Sequence, residues 1–238
     1  VVFEAHDNAR MVARDRGEEP GPVEALERAT LARSAALVAN CGGTMAALEE
    51  DYGTALPPLR RVIHNATRAD RGVSRQPSAK PTVGYAGSPR AYKGLQHVFD
   101  ALPLWPGGVQ LSLVGGAPAN APPGIDVRPA VPYGELPAIL AGFHVLLLPL
   151  DDNLFGRRLT SPLKLWDYLA TRIPIVAADL PTVREIAGSR PFYYAPGNPA
   201  SLAAAVTAAL AAGRSEPQLR LWSDRATEIE ELLQAVLG

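Results

Sequence analysis

The strongest constraint on the fold is a set of short apolar segments in the second half of the chain. The two clearest lie within HVLLLPL, at 144–150, and PIVAAD, at 174–179. Neither alternates apolar with polar residues, and such unbroken runs are typical of strands buried on both faces of a sheet. Helix-like segments separate the runs. The pattern therefore predicts a parallel sheet covered by helices on both faces, which is an α/β fold.

The same alternation extends over most of the chain. It predicts strands, in chain order, at 1–4, 36–40, 61–65, 82–87, 109–116, 125–129, 144–150, 174–179 and 191–195. It predicts helices from Pro22 and at 44–52, 92–104, 135–141, 161–171, 181–188, 201–212 and 216–237. A polar stretch with Gly, Ser and Pro reads as a linker between two groups of elements. We therefore expect a first domain at 1–68, a linker at 69–81, a second domain at 82–213 and a closing helix at 214–238.

Composition excludes several classes of protein. The net charge of -1 gives no general electrostatic case for binding nucleic acid. A single cysteine, Cys41, excludes an internal disulfide and fits a reducing compartment. No run of 18 apolar residues and no secretory signal occurs in the sequence, so we expect a cytoplasmic protein. Because the chain begins at Val1 on a strand-like segment, two explanations stay open: it is a fragment, or its first part was not observed.

Three loops of the second domain lie where an open parallel sheet binds its ligands. They cover 87–94, 115–121 and 151–161, and each follows a predicted strand. Ligands of such sheets bind beyond the carboxyl ends of the strands. If the sheet is doubly wound, the three loops converge on one crevice, and this is the main argument for a site.

The loop at 151–161 leads into the most informative segment of the chain. Ser161 is a good N-cap and Pro162 suits the first helical turn, so free N–H groups would face an anion. Lys164 adds a positive charge, while Asp167 and Tyr168 share its face of the helix. A phosphate at the helix tip and a hydroxyl-bearing ring beside Asp167 would satisfy this surface. The segment therefore predicts a nucleotide-sugar site.

The loop GSPRAYKG, at 87–94, supplies two more cations. Gly87 permits a tight turn, and Arg90 with Lys93 suits a diphosphate. When this segment is considered alone, a solvated loop with two ordinary surface charges is a slightly better explanation than a diphosphate site. Its position beside the helix from Ser161 favours the diphosphate. The glycine spacing does not match the dinucleotide-binding fingerprint.

Other candidates have equally plain structural explanations. Gly115 and Gly116 either bring the backbone close to a flat ring or form an ordinary turn. Val131 and Tyr133 would then lie near a nucleobase. His6, at the end of the first strand, either holds a sugar hydroxyl or is a hydrogen-bonded structural histidine.

The remaining histidines and Glu185 point to structural roles. His64, His97 and His144 have no metal-ligand spacing with one another or with Cys41, so we expect no metal site there. Glu185 follows a turn after the strand at 174–179, where a capping or surface role is the expectation.

These motifs together resemble a known family. VGYAGS, KGL, LVGG and SPLKLWDYLATRIPIVAADLPTVREI, in this order, resemble the donor half of retaining glycosyltransferases of the GT-B fold, family 4. VVFEAHD, ALVAN and RVIHNATR resemble the end of that family's acceptor half, and LWSDRATEIEELL resembles its closing helix. The resemblance implies a complete Rossmann-like C-terminal domain at 82–213 and a partial N-terminal α/β domain at 1–68, with most of the acceptor domain missing.

The resemblance also implies residue roles. Arg90 and Lys93 bind the donor diphosphate and, with His6 near the reacting sugar, are the candidate catalytic residues. Asn65 lies near the cleft between the domains. The donor-binding set comprises Gly87, Ser88, Gly115, Gly116, Val131, Tyr133, Thr160, Ser161, Pro162, Lys164 and Asp167, of which Asp167 binds ribose hydroxyls.

One departure from the family concerns its acidic pair. Many relatives carry two glutamates separated by seven residues, whereas here the second position is Asp167 and the first is Leu159. The SPLK variety often lacks the first acid. Asp151 or Asp152 is an alternative source of that carboxylate.

The resulting functional prediction is a retaining, hexosyltransferase-type enzyme. It would move a sugar from a nucleotide-diphosphate sugar to a hydroxyl of a sugar, lipid-linked or small-molecule acceptor, in bacterial glycan or cell-envelope synthesis. Pre-placed cations would stabilise the departing diphosphate, with no metal or other cofactor. Loose attachment to the inner membrane face stays open. The alternatives are a non-catalytic donor-binding module, or a partial enzyme completed by a second chain, and a nucleotide-sugar epimerase on the same scaffold.

Overall fold

The computed structural model describes residues 1–68, 78–90 and 93–238. Most of the predicted linker, at 69–77, lies outside the described residues, as do residues 91 and 92. The described chain forms two parallel sheets with helices packed against them, which confirms the α/β prediction.

The first sheet has three strands in the order β1-β2-β3. Its strands are β1 Val2–Ala5, β2 Ala36–Ala39 and β3 Leu59–Val62, and its helices are α1 Ala9–Asp15, α2 Gly21–Ala32 and α3 Gly42–Tyr52. Both strand pairs are parallel, with Ala36 beside Val2 on one side and beside Leu59 on the other.

The second sheet has six parallel strands in the order β6-β5-β4-β7-β8-β9. The strands are β4 Thr82–Ala86, β5 Gln110–Val114, β6 Asp126–Arg128, β7 Val145–Leu148, β8 Ile175–Ala178 and β9 Phe192–Tyr194. The helices are α4 Leu95–Ala101, α5 Leu136–Leu140, α6 Leu163–Leu169, α7 Pro181–Ala187, α8 Pro199–Ala211 and α9 Trp222–Leu237. The strand order reverses between β4 and β7, and this switch point is where ligands of open α/β sheets bind.

The two sheets have separate cores. A continuous cluster that includes Val83, Leu113, Leu147 and Val176 fills the six-stranded sheet and its helices. The three-stranded sheet has smaller clusters, one on each face. On one of these faces α9 packs through Leu232, which is fully buried. The last helix of the chain therefore covers the first sheet.

The structure differs from several predicted bounds, among them β3, predicted at 61–65 and found at Leu59–Val62, and three further differences have a clear cause or consequence. Helix α1 was not predicted, and it depends on Asn8, whose side chain accepts a hydrogen bond from the Met11 N–H. Helix α9 begins six residues later than predicted, at Trp222. Helix α6 begins at Leu163 with Pro162 as its N-cap, so the prediction that Ser161 caps this helix is wrong. Among the described residues, no helix is long and apolar enough to span a membrane.

Candidate functional site

Two of the three predicted loops, and the helix that follows the third, meet at the carboxyl ends of β4, β5 and β7. A Cβ atom built on Gly115 would lie 2.7 Å from the Gly87 carbonyl oxygen, so the loops after β4 and β5 touch. A Cβ atom on Gly87 would lie 2.6 Å from the Lys164 Nζ, so α6, which follows the β7 loop, closes the third side. We call this place, lined by Tyr85, Gly87, Lys93, Gly115 and Lys164, the crevice.

Gly87 is required for this close approach. Its φ of 142° is a backbone conformation that residues with a side chain rarely adopt. Its N–H donates a 2.8 Å hydrogen bond to the Val114 carbonyl, which fixes the turn against β5. A side chain here would also displace the Lys164 ammonium.

Lys164 is the central charge of the crevice. Its Nζ lies 3.8 Å from the centre of the Tyr85 ring, within the range of a cation–π contact. Burial, together with the neighbouring charge of Lys93, lowers the pKa of Lys164 to about 7. No carboxylate of the described residues forms an ion pair with Lys164. A buried cation without a countercharge is costly, and an anionic ligand would remove that cost.

The segment before α6 is buried and faces the first sheet. Ser161 is 7% exposed, and its hydroxyl has no hydrogen-bond partner among the described residues. Its carbonyl accepts a 3.0 Å hydrogen bond from the side-chain amide of Asn65, which follows β3. Thr160 and Pro162 are also buried. Asn65 therefore connects the end of β3 with the segment before α6.

Asp167 lies one turn along α6 and already has two partners. Its Oδ1 accepts hydrogen bonds from the Tyr133 hydroxyl at 2.5 Å and from the Thr67 hydroxyl at 2.6 Å. Burial, and then the bond to Asp167, raises the pKa of Tyr133. The Oδ2 atom has no hydrogen bond to the described residues. One carboxylate oxygen is thus fixed by the protein and the other is available.

Other predicted residues border the crevice without entering it. The N–H groups of Gly115 and Gly116 both donate to the Arg128 carbonyl at 3.0 Å. Val131 is half-buried and packs against the large core. Ser88 is exposed, and its carbonyl accepts a hydrogen bond from the Tyr85 hydroxyl.

Arg90 and His6 are the two predicted residues that the structure does not connect to the crevice. The Arg90 side chain is exposed and forms no ion pair with the described residues. His6 is also exposed; its Nε2 lies 3.3 Å from the Glu4 carboxylate. The His6 carbonyl accepts a hydrogen bond from Asn40. These contacts are those of a surface residue at the end of β1.

The carboxylates proposed to compensate for Leu159 have other partners. Leu159 itself is 1% exposed and packs in the interior. Asp151 lies 3.5 Å from His97, and Asp152 pairs with Arg157 on the surface. Across residues 1–68, 78–90 and 93–238, no group of three His, Cys, Asp or Glu side chains could hold a metal ion.

A second group of polar contacts, which the sequence did not predict, joins the two sheets. The Gly42 N–H, at the start of α3, donates a 2.7 Å hydrogen bond to Glu185 of α7. The same Glu185 oxygen lies 3.3 Å from the His64 Nε2. A Cβ atom on Gly43 would lie 2.3 Å from the Arg158 carbonyl oxygen. We call Gly42, Gly43, His64, Arg158 and Glu185 the junction; the glycine pair that follows Cys41 was its available sequence signal.

The arrangement of these sheets is found in solved structures of the GT-B fold. Sucrose-phosphate synthase from Thermosynechococcus elongatus aligns with a TM-score of 0.79 and 16% identity, over 99% of this chain and 67% of that chain. HepE from Anabaena, in complex with UDP and glucose, aligns with a TM-score of 0.73 and 18% identity, over 98% and 71%. A glycosyltransferase from Rickettsia africae aligns with a TM-score of 0.68 and 12% identity, over 100% and 70%. The chain therefore has the GT-B fold of glycosyltransferases.

The family follows from the sequence of the six-stranded sheet. Residues 80–212 match the family described as glycosyl transferases group 1. Because this match covers more than half of the 238 residues, the chain belongs to the glycosyl transferases group 1 family. A search of curated proteins found no match.

Proposed function

We propose that the crevice binds the diphosphate of a nucleotide-sugar donor, and that the chain transfers the sugar to an acceptor hydroxyl. The observation that carries this proposal is Lys164, an ammonium group held at a sheet switch point without a carboxylate partner. The positive charge of Lys93 also acts on it. An ammonium group with no carboxylate of the described residues paired to it, in a positive environment, suits an anionic ligand.

The same arrangement suits the departure of a nucleoside diphosphate. When the bond to the sugar breaks, negative charge develops on the leaving phosphate. Lys164, with Lys93 beside it, stabilises that charge. We propose that these cations supply the charge stabilisation without a metal ion.

Asp167 and Tyr133 provide the second half of the donor site. The free Oδ2 of Asp167 is an acceptor for two ribose hydroxyls, since ionised carboxylates accept several hydrogen bonds. Tyr133, 40% exposed and fixed by Asp167, presents its ring beside that position for a nucleobase. This part of the proposal is supported by HepE, which has the same fold and was solved with UDP and glucose.

We further propose retention at the anomeric carbon and a hexose as the transferred sugar. Retention is proposed from the resemblance of SPLKLWDYLATRIPIVAADLPTVREI to retaining glycosyltransferases. A sugar, lipid-linked or small-molecule acceptor in bacterial envelope synthesis is proposed from the family resemblance. Closure of the two sheets would exclude water from the reacting bond.

The test is release of nucleotide from a panel of nucleotide sugars, with and without acceptors. The chain contains three lysines, Lys80, Lys93 and Lys164, so Lys80→Ala is a natural control. Turnover should be lost in Lys93→Ala and kept in Lys80→Ala, with both variants folded. Anomeric configuration of the product, read by proton NMR, tests retention.

A second candidate is a donor-binding module without catalysis, and Leu159 favours it. The buried leucine occupies the position where many relatives have an acid. A wild-type chain that binds a nucleotide sugar in calorimetry, yet releases no nucleotide with any acceptor, would select this candidate over transfer.

A further inference from the structure

The junction is where the carboxyl ends of the two sheets face each other. Gly42 and His64 follow β2 and β3, while Glu185 belongs to α7 and Arg158 to the loop before α6. Two backbones approach closely here, because a Cβ on Gly43 would lie 2.3 Å from the Arg158 carbonyl oxygen.

Glu185 provides the charge of the junction. Helix α3 has no side-chain cap of its own, since its N-cap is Cys41. The Glu185 carboxylate takes that place from the other sheet, accepting the Gly42 N–H at 2.7 Å. A carboxylate at a helix N-terminus is stabilised by the N–H group and by the helix dipole.

His64 holds the same carboxylate from a second strand. Its Nε2 lies 3.3 Å from Glu185 Oε1, and its Nδ1 lies 3.1 Å from the Asn40 carbonyl. Only 25% of the His64 side chain and 29% of the Glu185 side chain are exposed, so solvent screens the contact less than a fully exposed pair. One carboxylate therefore connects α7 with both β2 and β3.

We propose that Glu185 is a positioning residue whose carboxylate clasps α3 and His64 and thereby holds the two sheets in their facing arrangement. The clasp fixes the distance between β3 and the start of α6, where Asn65 meets the Ser161 carbonyl. Loss of the carboxylate frees the N-terminus of α3 from α7 and lets the junction open. This inference does not rest on the proposed function.

Cys41 offers a direct measurement of that opening. It is the single cysteine of the chain, it is fully buried, and it lies at the junction, where its Sγ is 3.4 Å from the Arg158 carbonyl oxygen. Burial raises the pKa of the Cys41 thiol, which further lowers its reactivity while the junction is closed. The rate at which Ellman's reagent labels this thiol therefore reports on the open state.

The experiment compares labelling rates of the 238-residue chain and its variants. Glu185→Ala should raise the rate by about 10- to 100-fold, the range expected when a charge-assisted bond across an opening interface is lost. Glu185→Gln keeps an acceptor for the Gly42 N–H and should restore part of the protection. Gly43→Ala should also open the junction although Glu185 is unchanged, because its methyl group meets the Arg158 carbonyl.

Two controls separate opening from general loss of stability. Arg184→Ala changes the neighbouring residue of α7, whose partner Asp179 lies on the same side of the junction, and should leave labelling unchanged. Val83→Ala destabilises the large core away from the junction. Its labelling rate should rise by no more than the decrease in its free energy of unfolding accounts for. Equal labelling rates in Glu185→Ala and Arg184→Ala would overturn the proposal, as would a Glu185→Ala rate that its unfolding free energy fully explains.

Discussion

The crevice and the junction both lie at carboxyl ends of parallel strands, yet the charged side chains at the two places have opposite surroundings. In the crevice, the half-buried Lys164 lies over the Tyr85 ring with a second cation nearby. At the junction, the Glu185 carboxylate has both a backbone donor and His64 within reach. The junction charge thus has its partners within the protein, whereas the proposed function supplies the partner of Lys164 from the donor diphosphate.

The comparison also explains why stability and function should respond differently to mutation. Removing an unpaired buried charge relieves the folded state, since the cost of desolvation disappears. Removing a paired charge leaves its partners unsatisfied. Variants of the two regions should therefore move unfolding free energy in opposite directions.

The largest expected effect is that of Lys164→Met. Turnover should fall about 10²- to 10³-fold, because a cation that stabilises the leaving group is lost. At pH 6 the free energy of unfolding should rise by about 1–3 kcal/mol, since lysine is charged there in both the folded and unfolded chain and pays for burial only when folded. The gain should fade as the pH rises from about 7 towards 10.5, where the unfolded lysine also becomes neutral. Urea unfolding at several pH values measures this change in free energy. A variant that is less stable than the wild type at pH 6 would contradict the contrast between the crevice and the junction.

Gly87→Ala should be nearly as damaging to the crevice. The methyl group would meet the Lys164 Nζ at 2.6 Å in a backbone conformation that alanine rarely adopts. Affinity for UDP-glucose, as a probe donor, should fall at least about tenfold, and stability by about 1–3 kcal/mol. Gly188→Ala is the control, because its φ of 56° is also strained while no atom lies within 4 Å. Equal donor affinity in the two variants would show that the crowding at Lys164 is irrelevant.

Donor binding should depend on pH through Lys164. Because its pKa is about 7, the ammonium is mostly charged at pH 6 and mostly neutral at pH 8. Affinity for UDP-glucose should therefore fall about tenfold over this interval, with proton uptake on binding near pH 7. Lys164→Arg, which keeps its charge, should bind with little pH dependence. Calorimetry in buffers of different ionisation enthalpy detects the uptake, and its absence in the wild type contradicts the assignment.

Tyr133→Phe tests the part of the proposed donor site that contains Asp167. The variant loses the 2.5 Å hydrogen bond to Asp167 while Thr67 keeps its own. Donor affinity should fall about fivefold, which corresponds to one hydrogen bond of about 1 kcal/mol. The readout is calorimetric titration with UDP-glucose. Tyr193→Phe, whose hydroxyl bonds the Gly188 carbonyl away from the crevice, should bind as the wild type does.

The smallest effect is expected at the rim of the junction. Glu50 pairs with Arg158 across the two sheets at 2.7 Å, but the pair is exposed. Glu50→Gln should leave both the melting temperature and the labelling of Cys41 unchanged, since solvent screens such pairs. A rise in labelling equal to that of Glu185→Ala would assign the clasp to Arg158 instead.

The parts of the fold that follow from local sequence were predicted, and those that depend on distant contacts were not. Strands such as β7 and β8 carry unbroken apolar runs that predict burial on both faces. Helix α1 was missed because Asn8 is fixed partly by the Ala47 carbonyl of α3. The start of α9 was misplaced because residues before Trp222 lie extended beside Thr67.

The candidate site was predicted from its loops more completely than from its side chains. Gly87, Lys93 and Lys164 were named, and the structure brings them together. The contact between Lys164 and the Tyr85 ring was not predicted, since a tyrosine within an apolar strand does not indicate which side chain will lie over its ring. The junction was missed for the same reason: Gly43 and Arg158 are adjacent only after both sheets have formed.

The polypeptide passes between the sheets twice, after β3 and before α9, and the two passages are tied together. The Thr67 N–H donates to the Arg220 carbonyl, and the Trp222 N–H donates to the Thr67 carbonyl. Arg220 also reaches back to the carbonyls of His64 and Asn65. Two chain segments that are hydrogen-bonded side by side define one hinge line between the sheets. Opening and closing about that line keeps these hydrogen bonds, whereas rotation of one sheet over the other would break them.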